Sequence, residues 1–148
     1  MTVPGCDDAI EEEMAVSGFA VPRLAGRVLA VPGADVVLAE WTADGATDGE
    51  PRIQAPLHRH QEDEAWYVLT GALRIRIGPD VVDVPAGGAA VVPGGVAHTY
   101  WNPGSTPATY LLIMGPRTYA LVEAIHSDHH TPAELRELFH RHGAELLD

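Results

Sequence analysis

The chain has one cysteine, no lysine and no long apolar run, and each shortage excludes a class of protein. A lone thiol, Cys6, cannot close an internal disulfide, so a free cysteine near a polar N-terminus points to a reducing compartment rather than to secretion. At 148 residues the chain is one domain long. It buries roughly two-thirds of its unfolded surface, enough for a core that needs neither disulfides nor oligomerisation. All nine basic residues are arginine, against 21 acidic ones, for a formal charge of -12. Dispersed cations on so acidic a chain exclude a nucleic-acid surface, which needs them clustered. The longest apolar runs, such as 109–115, fall far short of the ~20 residues of a membrane helix. Where a signal peptide would carry a basic start and an apolar stretch, this chain carries Asp7, Asp8, Glu11, Glu12 and Glu13. The expectation is a cytoplasmic protein without a membrane partner.

What is present is a β texture. Residues 7–16 set Ile10 and Met14 one helical turn apart among acids and predict a short helix. From 26 to 114 the chain consists of short β-branched runs separated by Gly, Pro and Asp turns, the spacing of a sandwich or barrel. Strands are predicted over 26–31, 34–41, 53–60, 64–70, 72–78, 80–84, 89–92, 97–102 and 107–114, with a mobile polar loop over 42–52. Past Gly115 the periodicity becomes helical. One helix carries Tyr119, Val122 and Ile125. A second opens at the capping box Thr131-Pro132-Ala133-Glu134 and places Leu135, Leu138, Phe139 and Leu146 on one apolar stripe against the barrel.

The chemistry concentrates in residues 56–64. On a strand, residues two apart share a face, so His58 and His60 present two imidazoles to one side while Arg59 faces away. A turn through 61–63 returns Glu64 beside them, and two imidazoles with a carboxylate form a ligand set for first-row divalent metals. His98 follows the tight turn Pro93-Gly94-Gly95 and is a candidate fourth ligand. Alone, His-x-His is more often a pair of exposed strand histidines. Glu62 and Asp63 read as solvated turn residues, and Asn102 as a side-chain cap on the Pro103-Gly104 turn.

These residues resemble the two motifs of the cupins. His58, His60, Glu64 and Gly71 fit the first at each spacing, and Gly87, Pro93, Gly95, His98 and Asn102 fit the second, fifteen residues further on. One position departs: Arg52 stands where the family usually opens its first motif with glycine, which shapes the entering loop and leaves the ligands untouched. The resemblance implies an all-β double-stranded β-helix, a jelly-roll barrel, over 26–115, preceded by a short N-terminal segment (1–25) and followed by C-terminal helices (116–148). It also implies one divalent metal per chain (Fe, Mn, Ni, Cu or Zn) held by His58, His60, Glu64 and His98. The fold hosts many reactions, so membership does not choose one.

Strand parity extends the site. Trp66 shares the phase of Glu64, Tyr100 that of His98 and Gln54 that of His58, so Trp66 and Tyr100 are expected as an aromatic wall, with core packing the competing role for both, and Gln54 as a polar group at the rim. Arg74 and Arg76 are expected outside. His126, His129 and His130 are placed on a surface linker, and, with His140 and His142, outside any metal site. The functional expectation is a dioxygenase acting on a small oxygenated aromatic or keto compound, with Glu64 also serving as general base. A metal-dependent isomerase or cyclase, or a non-catalytic binding module, stands as the alternative. Aliphatic outer faces suggest a homodimer.

Overall fold

The computed structural model describes residues 18–46 and 48–147, so the helix expected over 7–16 lies outside the described residues. Ten strands and two helices follow one another as β1 (Val28–Ala30), β2 (Val37–Ala43), β3 (Ile53–His60), β4 (Glu64–Thr70), β5 (Ala72–Ile77), β6 (Asp80–Pro85), β7 (Ala89–Val92), β8 (His98–Trp101), β9 (Ala108–Met114), α1 (Pro116–His126), α2 (Pro132–Arg141) and β10 (Ala144–Leu146). They form two five-stranded antiparallel sheets, ordered β1-β2-β9-β4-β7 and β10-β3-β8-β5-β6. No ladder joins the sheets among the described residues, so the jelly roll is two facing layers rather than a closed cylinder. None of the described helices is long and apolar enough to cross a membrane.

Alternation decides which side chains lie between the layers. On β9, Ala108, Tyr110, Leu112 and Met114 are buried while Thr109, Leu111 and Ile113 are only half-buried. On β4, Glu64, Trp66 and Val68 face inward and Tyr67 faces out. Trp66, Val68, Leu73, Ile75 and Val92 are fully buried in this core, each contributing about 1.5–3 kcal/mol or more by leaving water. Gly71 turns the chain from one sheet into the other at φ +74°, and its bareness lets Ala108 approach to 2.9 Å of where a Cβ would sit.

The outer faces differ. The β3-β8-β5-β6 sheet displays ion pairs, Arg59 with Glu145 at 2.6 Å and Arg74 with Asp83 at 2.6 Å, and Arg76 is exposed as expected. The other sheet displays an apolar row running across all its strands in register: Leu29 opposite Leu38, Leu38 opposite Ile113, Ile113 opposite Ala65, and Ala65 opposite Val91.

Two expectations about the connecting segments need correction. Leu146 does not extend the second helix: Gly143, at φ +74°, ends it, and Ala144–Leu146 then pairs antiparallel with β3, Leu146 opposite His58. A three-residue strand has no periodicity to read; the free edge of β3 makes it. Likewise β2 runs past residue 41, because Thr42 and Ala43 pair with Thr109 and Ala108. The loop after it is tied down by Ala46 N–H donating to the Gly104 carbonyl at 2.8 Å. Asn102 caps its turn, accepting from Gly104 N–H at 2.8 Å, and donates to the carbonyls of Ala43 and Thr106.

Candidate metal centre and its cavity

β3 delivers His58 and His60 and β8 delivers His98, with His58 and His98 directly opposite each other in the ladder. β4 brings Glu64. All four are buried, none more than 6% exposed. Each imidazole is held through Nδ1, which donates to a backbone carbonyl two residues away: His58 to Pro56 at 2.6 Å, His60 to Glu62 at 2.8 Å, His98 to Val96 at 2.9 Å. A carbonyl only accepts, so Nδ1 carries the proton and the lone pair sits on Nε2 in all three rings. The ligand atoms of the three rings lie within 4.8 Å of one another, and among the described residues this is the one such convergence of His, Cys, Asp or Glu.

The polar balance of the cluster fits a cation. Glu64 Oε1 lies 3.1 Å from His60 Nε2 and Oε2 lies 3.7 Å from His98 Nε2, while His98 Nε2 is buried without a hydrogen-bond partner. Lone pairs and a carboxylate facing one another in a dry site repel until a metal ion or a proton comes between them. Three imidazole nitrogens, oriented by backbone hydrogen bonds behind them, and one carboxylate oxygen suit a first-row divalent ion. Burial, and then the neighbouring His98, push the His58 pKa down to about 4. Burial lowers that of His98 as well. Burial also opposes the charge on His60, but the hydrogen bond and charge of Glu64 outweigh it and raise that pKa.

The cluster abuts a cavity of about 480 Å³ lying between the sheets and α1, and His58 and Glu64 form part of its wall. Most of the rest is aromatic or aliphatic: Trp41, Tyr100, Tyr110 and Leu112 from the strands, Tyr119 and Phe139 from the helices. No arginine lines it. Gln54 is in the wall, its amide nitrogen donating to the Arg52 carbonyl at 3.2 Å. Tyr100 is there too. Trp66 is not. It points inward as parity requires, but it is sealed in the core, edge-on to His98 at 6.0 Å and to Tyr100 at 5.4 Å. The aromatic wall therefore holds Tyr100 and Tyr110 where Trp66 and Tyr100 were expected.

Three further residues differ from their expected roles. Glu62 is not a solvated turn residue. Its carboxylate accepts from Thr118 N–H and Thr118 Oγ1, both at 2.7 Å, and from Arg117 N–H at 3.3 Å, capping α1 from the loop between the metal-facing strands. Asp63 similarly accepts from Gly94 N–H at 2.8 Å. His126 ends α1 and lines the cavity, whereas His129 and His130 lie in the linker that follows. Phe139 of α2 packs edge-on against His58 with ring centroids 5.4 Å apart, so the C-terminal segment supports the cluster directly.

Comparison with known proteins places this geometry in context. A family model for the cupin domain matches residues 49–114, the stretch that supplies all four residues of the cluster. Among solved structures, an uncharacterised conserved protein with a double-stranded β-helix domain from Klebsiella pneumoniae is similar at 24% identity and TM-score 0.49, over 61% of this chain and 74% of that one. A cupin protein from Bacteroides fragilis is similar at 14% identity and TM-score 0.48, over 68% and 75%. A cupin 2 conserved barrel domain protein from Rhodopseudomonas palustris is similar at 18% identity and TM-score 0.47, over 59% and 56%. No curated protein matches the sequence.

Proposed function

We propose that this chain, a cupin-superfamily protein whose match to the cupin-domain model covers residues 49–114, is a metal-dependent dioxygenase acting on a small oxygenated aromatic or keto compound. His58, His60, His98 and Glu64 hold one divalent ion. The observation that carries the reading is that His58 and Glu64 belong to both the cluster and the cavity wall, so a molecule in the cavity reaches the cluster directly. When bound, the metal supplies a redox-active Lewis acid. The aromatic wall excludes water and favours a flat, mostly apolar molecule over a polyol. Glu64 also accepts the proton of a substrate hydroxyl, because its carboxylate is the one acidic group at the junction of cluster and cavity. A reaction that places both atoms of dioxygen in the product needs no external reductant.

The test loads separate samples with iron, manganese, nickel, copper or zinc and measures oxygen uptake against a panel of phenols and 1,3-diketones. Uptake matched to substrate loss with one metal, abolished by Glu64→Gln, is the expected result. Substrate conversion without oxygen uptake replaces the dioxygenase with an isomerase or cyclase. Tight binding without any conversion leaves a binding protein.

The same reading makes the protein a homodimer through the β1-β2-β9-β4-β7 face. On a chain of charge -12, two copies meet most readily on a face that lacks like charges, and the in-register row from Leu29 to Val91 has none. Sedimentation should give a dimer at micromolar concentration for the wild type and a monomer for Tyr67→Glu combined with Val91→Glu. Both side chains are exposed, so the fold has little reason to fail. A wild-type monomer removes the interface.

A further inference from the structure

Two tyrosines in the cavity wall hold more hydrogen-bond donors than the protein uses. Tyr100 of β8 and Tyr110 of β9 face each other across the two sheets, ring centroids 5.6 Å apart, and their hydroxyl oxygens lie 2.8 Å apart. Each hydroxyl carries one proton. A single hydrogen bond between them consumes one of the two, and no acceptor for the other is present among the described residues. Neither side chain is more than 5% exposed to bulk water, but both line the cavity. The indole of Trp66, fully buried, packs edge-on against the Tyr100 ring from the core side. The direction left for the second proton is the cavity.

We infer that the Tyr100–Tyr110 pair is the ligand-orienting subsite of the cavity, donating one hydrogen bond to a carbonyl, enolate or phenolate oxygen of the bound molecule. The inference rests on the proposed substrate class and deepens it. With no arginine in the wall and no lysine in the chain, a carboxylate bound at the tyrosine pair would find no permanently charged partner among the lining residues. A neutral or charge-delocalised oxygen needs only a neutral donor. Burial disfavours the phenolate of both tyrosines, raising the Tyr110 hydroxyl to about 12 and shifting that of Tyr100 in the same direction. The ligand therefore carries two oxygen functions, one meeting the cluster beside Glu64 and one meeting the tyrosine pair, with an apolar body between.

The experiment uses acetophenone, whose carbonyl is the acceptor, and α-methylstyrene, the same shape without the oxygen. Infrared spectra of isotope-labelled acetophenone are recorded with the wild type and with Tyr100→Phe combined with Tyr110→Phe, each both metal-free and zinc-loaded, because either single substitution would leave one hydroxyl free to donate. The expected result is a carbonyl stretch lowered on binding to the wild type and moved back up in the double variant. Acetophenone affinity should fall about three- to tenfold there, the size of one neutral hydrogen bond, with α-methylstyrene affinity unchanged. Both substitutions keep the ring and its packing, and a melting curve verifies the fold. An unshifted carbonyl in the wild type, equal losses for both probes, or failure of the wild type to bind acetophenone overturns the inference. Hydrogen-bond donation needs no metal, so a shifted carbonyl without oxygen uptake overturns the dioxygenase alone, and oxygen uptake with an unshifted carbonyl overturns the subsite alone.

Discussion

Replacing His98 by alanine is expected to reduce bound metal from about one ion per chain to a trace, as measured by elemental analysis of protein purified with excess metal and then desalted. Its Nε2 is buried without a protein partner and lies 3.7 Å from Glu64 Oε2, and the substitution also removes the ring that separates His58 from Trp66. His58→Ala should do the same. Stoichiometric metal in both variants would falsify the ligand assignment. Acidification should act in the same direction, and the three rings should not respond together. His60, whose pKa is raised by Glu64 against the effect of burial, takes a proton first as pH falls. His58 stays neutral down to about 4. Metal loss on acidification should therefore set in with protonation of His60, before His58 titrates. In the metal-free protein the depressed His58 has a second consequence. Between the ordinary imidazole value and about 4 the unfolded chain binds a proton that the native site refuses, so native stability declines as pH falls through that window. A melting temperature independent of pH there would contradict the buried, neutral placement of this ring.

The second large effect is expected at a residue with no place in the metal cluster. Glu62→Ala removes the only side-chain cap of α1, since Gly115 at the N-cap makes no capping bond. Losing such a cap costs about 1–2 kcal/mol. Thr118, buried at 5% exposure, is left with an unpaired N–H and hydroxyl, which adds about 1–3 kcal/mol. For a chain of this length the melting temperature should drop by roughly 5–15 °C. The backbone of Glu62 also holds Nδ1 of His60, so metal affinity should weaken several-fold even though no ligand has changed. Glu62→Gln retains one acceptor oxygen and should recover much of both losses. A melting temperature and metal affinity indistinguishable from wild type in Glu62→Ala would show that the loop and the helix are not coupled. Gly115 belongs to the same contact: a side chain there would collide with the Glu62 carboxyl group.

The nine strands from Val28 to Met114 were legible because a strand buried on one face writes its orientation into every second residue, and Gly, Pro and Asp mark where each run stops. The facing of His58, His60, Glu64 and His98 was legible for the same reason, and the capping box of α2 because all its partners lie within four residues. Periodicity is a local property, and it ends where a partner is distant. The carboxylate of Glu62 meets Thr118 at a separation of 56 residues, and β10 exists because the edge of β3 was free. Parity placed Trp66 inside but says nothing of depth: whether an inward side chain meets a cavity or another ring depends on what the opposite sheet places there, here His98 and Tyr100. By itself, then, the sequence determined which residues form strands, which face the interior and which four can converge, since backbone geometry imposes those relations on neighbours. Only the tertiary structure decided that Tyr110 rather than Trp66 shares the cavity with Tyr100, that His126 reaches its wall and that Phe139 braces His58, since these depend on distances between segments that no local pattern encodes.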